Sequence, residues 1–237
     1  MNPDNGGSRN PYKISGGSFV GRSLAAALFL ALILFLPAGD LFWTRGWLFL
    51  FVSVVTLGAA AFYLWRVNPE IFSARRRIQP GTKRWDRILL GFLFLAFLAV
   101  FVVAGYDDGR FARSDLPRWS IGCGYLLYVA GIVLTTWAEA VNRFFEPGVR
   151  IQTERGHRVI DTGPYATVRH PGYVAACLLI TGIALSLGSL WALVPAGLAS
   201  GLLVLRTVWE DRTLRQELPG YQEYTQRVRF RLIPGVW

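Results

Sequence analysis

The sequence predicts an all-α polytopic membrane bundle of about six transmembrane helices, closed by a C-terminal helical hairpin and a cytoplasmic tail. Three observations carry this. Hydrophobic residues make up 53% of the 237, and they gather in continuous runs. Those runs have the length needed to cross a bilayer. The basic residues gather in alternate connections between them.

The runs come in order. Phe19 to Ala38, Gly46 to Trp65, Ile88 to Gly105 and Trp119 to Ala138 each carry at most one charge, near an end. Each is roughly 18–20 residues long, and a rise of about 1.5 Å per residue carries such a helix across ~30 Å of hydrocarbon. Tyr173 to Trp209 is longer, interrupted at Leu187-Gly188-Ser189 and again at Pro195. It reads as two helices in a tight hairpin. The first run is read as a retained span, because it is long, its leader is long, and Pro37-Ala38-Gly39 is a poor cleavage signal.

Charge then orients the chain. Of its 25 basic residues, 21 fall in the N-terminal segment, the 66–87 loop, the 139–171 loop and the segment from 206 onward. Only Arg45, Arg110, Arg113 and Arg118 lie on the other side. The positive-inside rule therefore puts both termini in the cytoplasm and the 106–118 loop outside. Residue usage rich in Ala, Gly and Arg has a bacterial look, which makes a bacterial inner membrane the expected location. The net charge of +10 follows from this topology and calls for no nucleic-acid partner.

Three regions emerge. Residues 1–18, rich in Asn, Gly and Ser, read as a mobile cytoplasmic leader. Residues 19–138 are membrane helix. Residues 139–237 hold most of the polar groups fit for chemistry and read as the catalytic region. Cys123 and Cys177 lie inside predicted spans and read as small apolar residues, with no metal site expected. Gly122, Gly124 and Gly131 read as a close-packing face. No Gly-rich strand-to-helix turn suggests a Rossmann-type nucleotide site.

The candidate chemistry starts at GPYATVRHPGY, residues 163–173. Pro171 suits the first position of a helix, with His170 at the cap. The N–H groups of Gly172, Tyr173 and Val174 would then face the loop with the positive end of the helix dipole, an arrangement suited to an anion. Gly172 would let a ligand approach the backbone. His170 and Tyr173, three residues apart, share a face. On the returning helix of the hairpin, Arg206 and Glu210 also share a face. Glu210 falls level with His170 and Tyr173, and Arg206 lies about a turn deeper. Arg206 either pairs with Glu210 or meets an incoming ligand. Glu139 and Asn142 either line the same cavity or solvate a helix end. His157 reads as a plain loop residue. Arg227, Arg229 and Arg231 either bind anionic lipid or lock the tail over the site.

The ordered set GPYATVRHPGY, an apolar hairpin, Glu210-Asp211 and PGYQEYTQRVRFRLIPGVW resembles the isoprenylcysteine carboxyl methyltransferase and phospholipid methyltransferase superfamily of integral membrane enzymes. The resemblance covers residues 137–237. It implies S-adenosylmethionine as the methyl donor and a lipophilic or small-molecule acceptor reached from the membrane lipids. It implies a cofactor site from Tyr165, His170, Pro171, Gly172, Tyr173, Glu210 and Asp211, with Arg169 and Arg206 at the catalytic centre. Asp211 stands where the family usually carries a second Glu. Two other classes stay open from the sequence: a sterol-type membrane reductase using a nicotinamide cofactor, and a non-enzymatic membrane scaffold. Length and the Arg-His-Pro-x-Tyr motif favour the methyltransferase.

Overall fold

The computed structural model describes residues 16–237, and all of its regular structure is helical. Eight α-helices follow one another: α1 Gly16–Ala38, α2 Thr44–Val67, α3 Ile71–Ala74, α4 Arg84–Ala104, α5 Arg118–Val141, α6 Pro171–Ser186, α7 Leu193–Glu217 and α8 Tyr221–Arg227. The expected leader lies outside the described residues as far as residue 15, and α1 already begins at Gly16. The four predicted spans before residue 138 fall on α1, α2, α4 and α5. Among the described residues, four helices are long and apolar enough to cross a membrane: α2, α4 with its continuation to Arg110, α5 and α7. Leu24–Ala38, within α1, and α6 are shorter apolar helices. The protein is a multi-pass helical membrane protein.

The hairpin breaks where the sequence places the break. Leu187 ends α6, and Gly188 takes a φ of +75°, a conformation that only glycine adopts without cost. Pro195 does not interrupt α7. It is the third residue of that helix, where a missing N–H costs no helical bond. With 16 residues, α6 is about 24 Å long, short of a full crossing by itself. The turn after it completes the reach: Ser189 Oγ donates to Asp107 Oδ2 at 2.5 Å, and Leu190 N donates to Ser114 Oγ at 3.1 Å. Asp107 belongs to a π-helical extension of α4, Gly105–Arg110, where a plain loop was expected. That extension turns Asp107 inward to receive Ser114 Oγ at 2.6 Å and the hairpin tip.

The helices α5 and α6 approach backbone to backbone. A Cβ at Gly124 would meet Ser186 N at 2.4 Å, and one at Gly131 would meet Ala175 O at 2.8 Å. Gly182, not singled out in the sequence, does the same against Tyr128 N at 2.4 Å, whereas Gly122 has nothing within 4 Å. Small residues at these contacts replace the hydrophobic driving force that is missing between helices in lipid. Around the pair, Leu34, Phe49, Val100, Ile183, Leu187 and Ala199 are fully buried. Leu28, Phe51, Phe92, Leu95, Leu126 and Leu198 are exposed, as lipid-facing positions of a membrane bundle are. At the end opposite the hairpin tip, the chain between α5 and α6 folds over the starts of α4 and α6 and the end of α7. The site forms beneath it.

Candidate active site

Pro171 opens α6 with His170 at the N-cap. The cap leaves fewer free N–H groups than the sequence suggested. Tyr173 N and Val174 N both donate to His170 O, at 3.0 and 3.3 Å. Val174 is the fourth helical residue, so its bond is the first regular turn of the helix. Gly172 lines the cavity described below, and a Cβ there would lie 2.8 Å from the Phe145 ring. The close neighbour of Gly172 is therefore Phe145.

The side chains at this helix start do converge with α7. The His170 and Tyr173 rings stack, parallel within 3° and with centroids 5.6 Å apart. The Tyr173 hydroxyl donates to Glu210 Oε2, which confirms the expected level. The Arg206 guanidinium lies 5.3 Å over the Tyr173 ring. Arg206 does not pair with Glu210. Its Nε donates to Asp86 Oδ1 at 2.7 Å, and Nη2 donates to Asp86 Oδ2 at 3.1 Å and to Pro147 O. Asp86, fully buried in the first turn of α4, also receives Val149 N at 2.7 Å.

Arg169 and Asp211 form a second, drier layer. Their side chains are 2% and 1% exposed. Arg169 Nε and Nη2 donate to the two Asp211 oxygens at 2.8 and 3.2 Å, and Nη1 donates to Val228 O and Arg229 O, both at 2.7 Å. Asp211 also receives Arg215 Nε and Arg231 Nε, each at 3.1 Å, and Tyr221 OH at 3.0 Å. His170 Nε2 stands 3.4 Å away from it. Two backbone bonds complete the clamp, Arg169 N to Phe230 O and His170 N to Arg231 O, both 3.0 Å. These two residues tie the C-terminal tail to the start of α6. Of the two roles open to the terminal arginines, Arg231 takes the locking one, while Arg227 reaches Asp161 at 3.0 Å.

A cavity of about 420 Å³ opens beside the first layer. Its polar wall includes Asn142, Glu146, His157, Tyr165, His170, Glu210 and Tyr221. Its other wall is apolar, with Phe97, Leu179, Ile180 and Leu203. Asp211 is absent from the lining and sits behind Arg169. Tyr165 accepts Asn142 Nδ2 at 3.0 Å through its hydroxyl, and its carbonyl receives Tyr224 OH at 2.7 Å. Burial pushes the Tyr165, Tyr221 and Tyr224 hydroxyls up, so all three act as neutral hydrogen-bonding groups. Glu139 does not line the cavity. It pairs with Arg75 beneath it, while Asn142 does line it.

Sequence reading missed Asp86, Glu146 and Tyr221, and underrated His157. Glu146 is buried and takes Arg150 through both oxygens, at 2.7 and 2.9 Å. His157 packs against Phe144, the rings tilted by 37° with centroids 4.7 Å apart, and its Nδ1 accepts Gln152 N at 3.3 Å. Burial, helped by Arg150 and Arg155, holds His157 down at about 4. Between its ordinary 6.5 and about 4, the unfolded chain takes a proton that the folded chain refuses. Stability is therefore expected to fall as pH drops through that window. The thermal midpoint in detergent should drop less between pH 7 and 5 in His157→Asn, which keeps an acceptor and does not titrate. An equal drop in both proteins would remove His157 as the cause.

Residues 119–218 match the phospholipid methyltransferase family. That stretch, 100 of the 237 residues, is similar to a family of integral membrane methyltransferases. No curated protein matches the chain. The matched stretch spans α5, α6 and α7 and carries Tyr165, Arg169, His170, Tyr173, Arg206, Glu210 and Asp211. Asp86, Tyr221 and the clamped tail lie outside it, yet they contact its central side chains. The candidate site is therefore completed by segments on both sides of the matched stretch.

Proposed function

We propose that this protein is a methyltransferase that takes its methyl group from S-adenosylmethionine and passes it to a lipophilic or small acceptor at the cytoplasmic membrane interface. One observation carries the reading. Two carboxylates line the cavity: Glu146 is paired with Arg150, whereas Glu210, among the described residues, is bonded only by the Tyr173 hydroxyl, the nearby Arg206 being paired with Asp86 instead. A part-buried carboxylate with no direct ion-pair partner is costly, and it fits a cationic ligand. S-adenosylmethionine offers an ammonium and a sulfonium. The cavity size is in the range of small-molecule and cofactor sites.

When bound, the cofactor supplies a methyl carbon on an excellent leaving group. The residues here bind, orient and exclude water, which is where such a transfer gains most of its rate. Glu210 would receive the ammonium. Tyr173, held by the His170 ring and the Arg206 guanidinium, keeps the carboxylate pointed. Tyr165 and Tyr221 offer aromatic surface for the nucleoside or the sulfonium. The apolar wall formed by Phe97, Leu179, Ile180 and Leu203 suits an acceptor arriving from the bilayer. His170 Nε2 already faces Asp211 and Tyr221, so the site suits acceptors such as a carboxylate or thiolate, which need no proton removed in the transfer step. An amine acceptor would have to arrive neutral.

The test is direct binding. Calorimetry on the protein in detergent should show binding of S-adenosylmethionine and of S-adenosylhomocysteine, with nicotinamide dinucleotides failing to compete. Absence of heat with both ligands would end the reading.

Orientation belongs to the same proposal, because it puts the cavity on the cytoplasmic side of a bacterial inner membrane. In a Cys123→Ser/Cys177→Ser background, Ala112→Cys should react with an impermeant maleimide in intact cells and Pro80→Cys should not. The reverse pattern would invert the topology.

A further inference from the structure

Arg206 and Glu210 are one helical turn apart on α7, a spacing at which opposite charges ordinarily meet. They do not meet here. The Arg206 fork is turned to Asp86 of α4 through two bonds, and a third bond goes to Pro147 O. The Tyr173 ring lies under the guanidinium, and its hydroxyl goes to Glu210. Asp86 is itself fixed. It is 0% exposed, and its Oδ2 also receives Val149 N from the loop that roofs the cavity.

We propose that Asp86 is a positioning residue of the methyltransferase site: it holds Arg206 away from Glu210 and so keeps the Glu210 carboxylate open to a cationic ligand. A buried guanidinium that loses its partner is strongly driven to another anion. The nearest on its own helix face is Glu210. Without Asp86, Arg206 would turn one helical turn along α7 and neutralise the group that the cavity offers. Asp86 thus acts on the ligand without touching it, and from a helix outside the family-matched stretch. The value of the proposal for catalysis rests on the cofactor reading above, but the ion-pair exchange itself does not.

Two readouts separate the two ideas. The first is calorimetric affinity for S-adenosylhomocysteine in detergent. Asp86→Asn should weaken it. Asp86→Asn/Arg206→Met, which removes the competing cation as well, should bind at least about tenfold more tightly than Asp86→Asn, a coupling in the range measured for residues of one network. The second needs no cofactor. Dicyclohexylcarbodiimide modification of Glu210, read by mass spectrometry, should be high in the wild type, low in Asp86→Asn and high again in the double variant. If Asp86→Asn does not fold, the double variant, which leaves no unpaired buried charge, carries the test. It should still bind S-adenosylhomocysteine measurably and show high Glu210 modification, and folding without either would overturn the proposal. Equal Glu210 modification in all three proteins would overturn it as well. A wild type that binds no S-adenosylhomocysteine yet shows the high-low-high pattern would uphold the role of Asp86 and remove the cofactor reading.

Discussion

Glu210→Ala is expected to weaken S-adenosylhomocysteine binding by at least about thirtyfold, the lower end of the 2–5 kcal/mol lost when one partner of a buried charge pair is truncated. The argument is electrostatic. Glu210 lines the cavity, and among the described residues the only group bonded to it is the Tyr173 hydroxyl. Glu210→Gln keeps an oxygen for that hydroxyl and loses the charge, so it should fall nearly as far. Because neither change breaks an ion pair, the thermal midpoint should move little in both variants. His170→Ala should also weaken binding, through the stacked Tyr173 ring. The check is a titration in detergent with a melting curve on each variant. If Glu210→Gln binds like the wild type, the carboxylate charge has no part in holding the ligand.

What the sequence revealed and what it hid follow from distance along the chain. The spans were legible because each one is a local run of apolar residues. The hairpin break was legible because Leu187-Gly188-Ser189 breaks such a run. The meeting of Tyr173 with Glu210 was legible too, since a hairpin fixes which residues return beside which. Asp86 was not. Its partner Arg206 is 120 residues away, and an acid between Arg84 and Arg87 reads as one solvated charge among many. Glu146 was hidden for the same reason beside Arg150. The N–H groups after Pro171 were miscounted because the cap carbonyl of His170 also accepts a bond from Tyr173, one residue earlier than the regular helical pattern. For Arg169 and Asp211 the motif singled out the residues, but not which way they face. The tail, folded back through Val228 to Arg231, holds Asp211 out of the cavity lining and draws the guanidinium of Arg169, which still borders the cavity, into the clamp.

That clamp carries the second large effect. Asp211→Ala is expected to destabilise the protein by about 3–5 kcal/mol, the cost of removing one partner from a buried ion pair. Arg169, 2% exposed, would lose both acceptors on its Nε and Nη2 edge and keep only the Val228 and Arg229 carbonyls. Arg231, Arg215 and Tyr221 would lose their acceptor at the same time. Asp211→Asn retains shape and part of the bonding, so it should fall between the two. Asp211→Ala/Arg169→Met removes both charges and should recover much of the loss, since a well-packed apolar pair often matches a buried ion pair. The damage should also be local. The amides of Arg169 and His170, bonded to Phe230 O and Arg231 O, should exchange faster in Asp211→Ala, whereas Glu210→Ala should leave them protected. Melting curves and hydrogen exchange on these variants separate a clamp from a ligand. Should Asp211→Ala keep the wild-type midpoint and amide protection yet lose S-adenosylhomocysteine binding, Asp211 would be a cofactor ligand, as its place beside Glu210 in the motif implies.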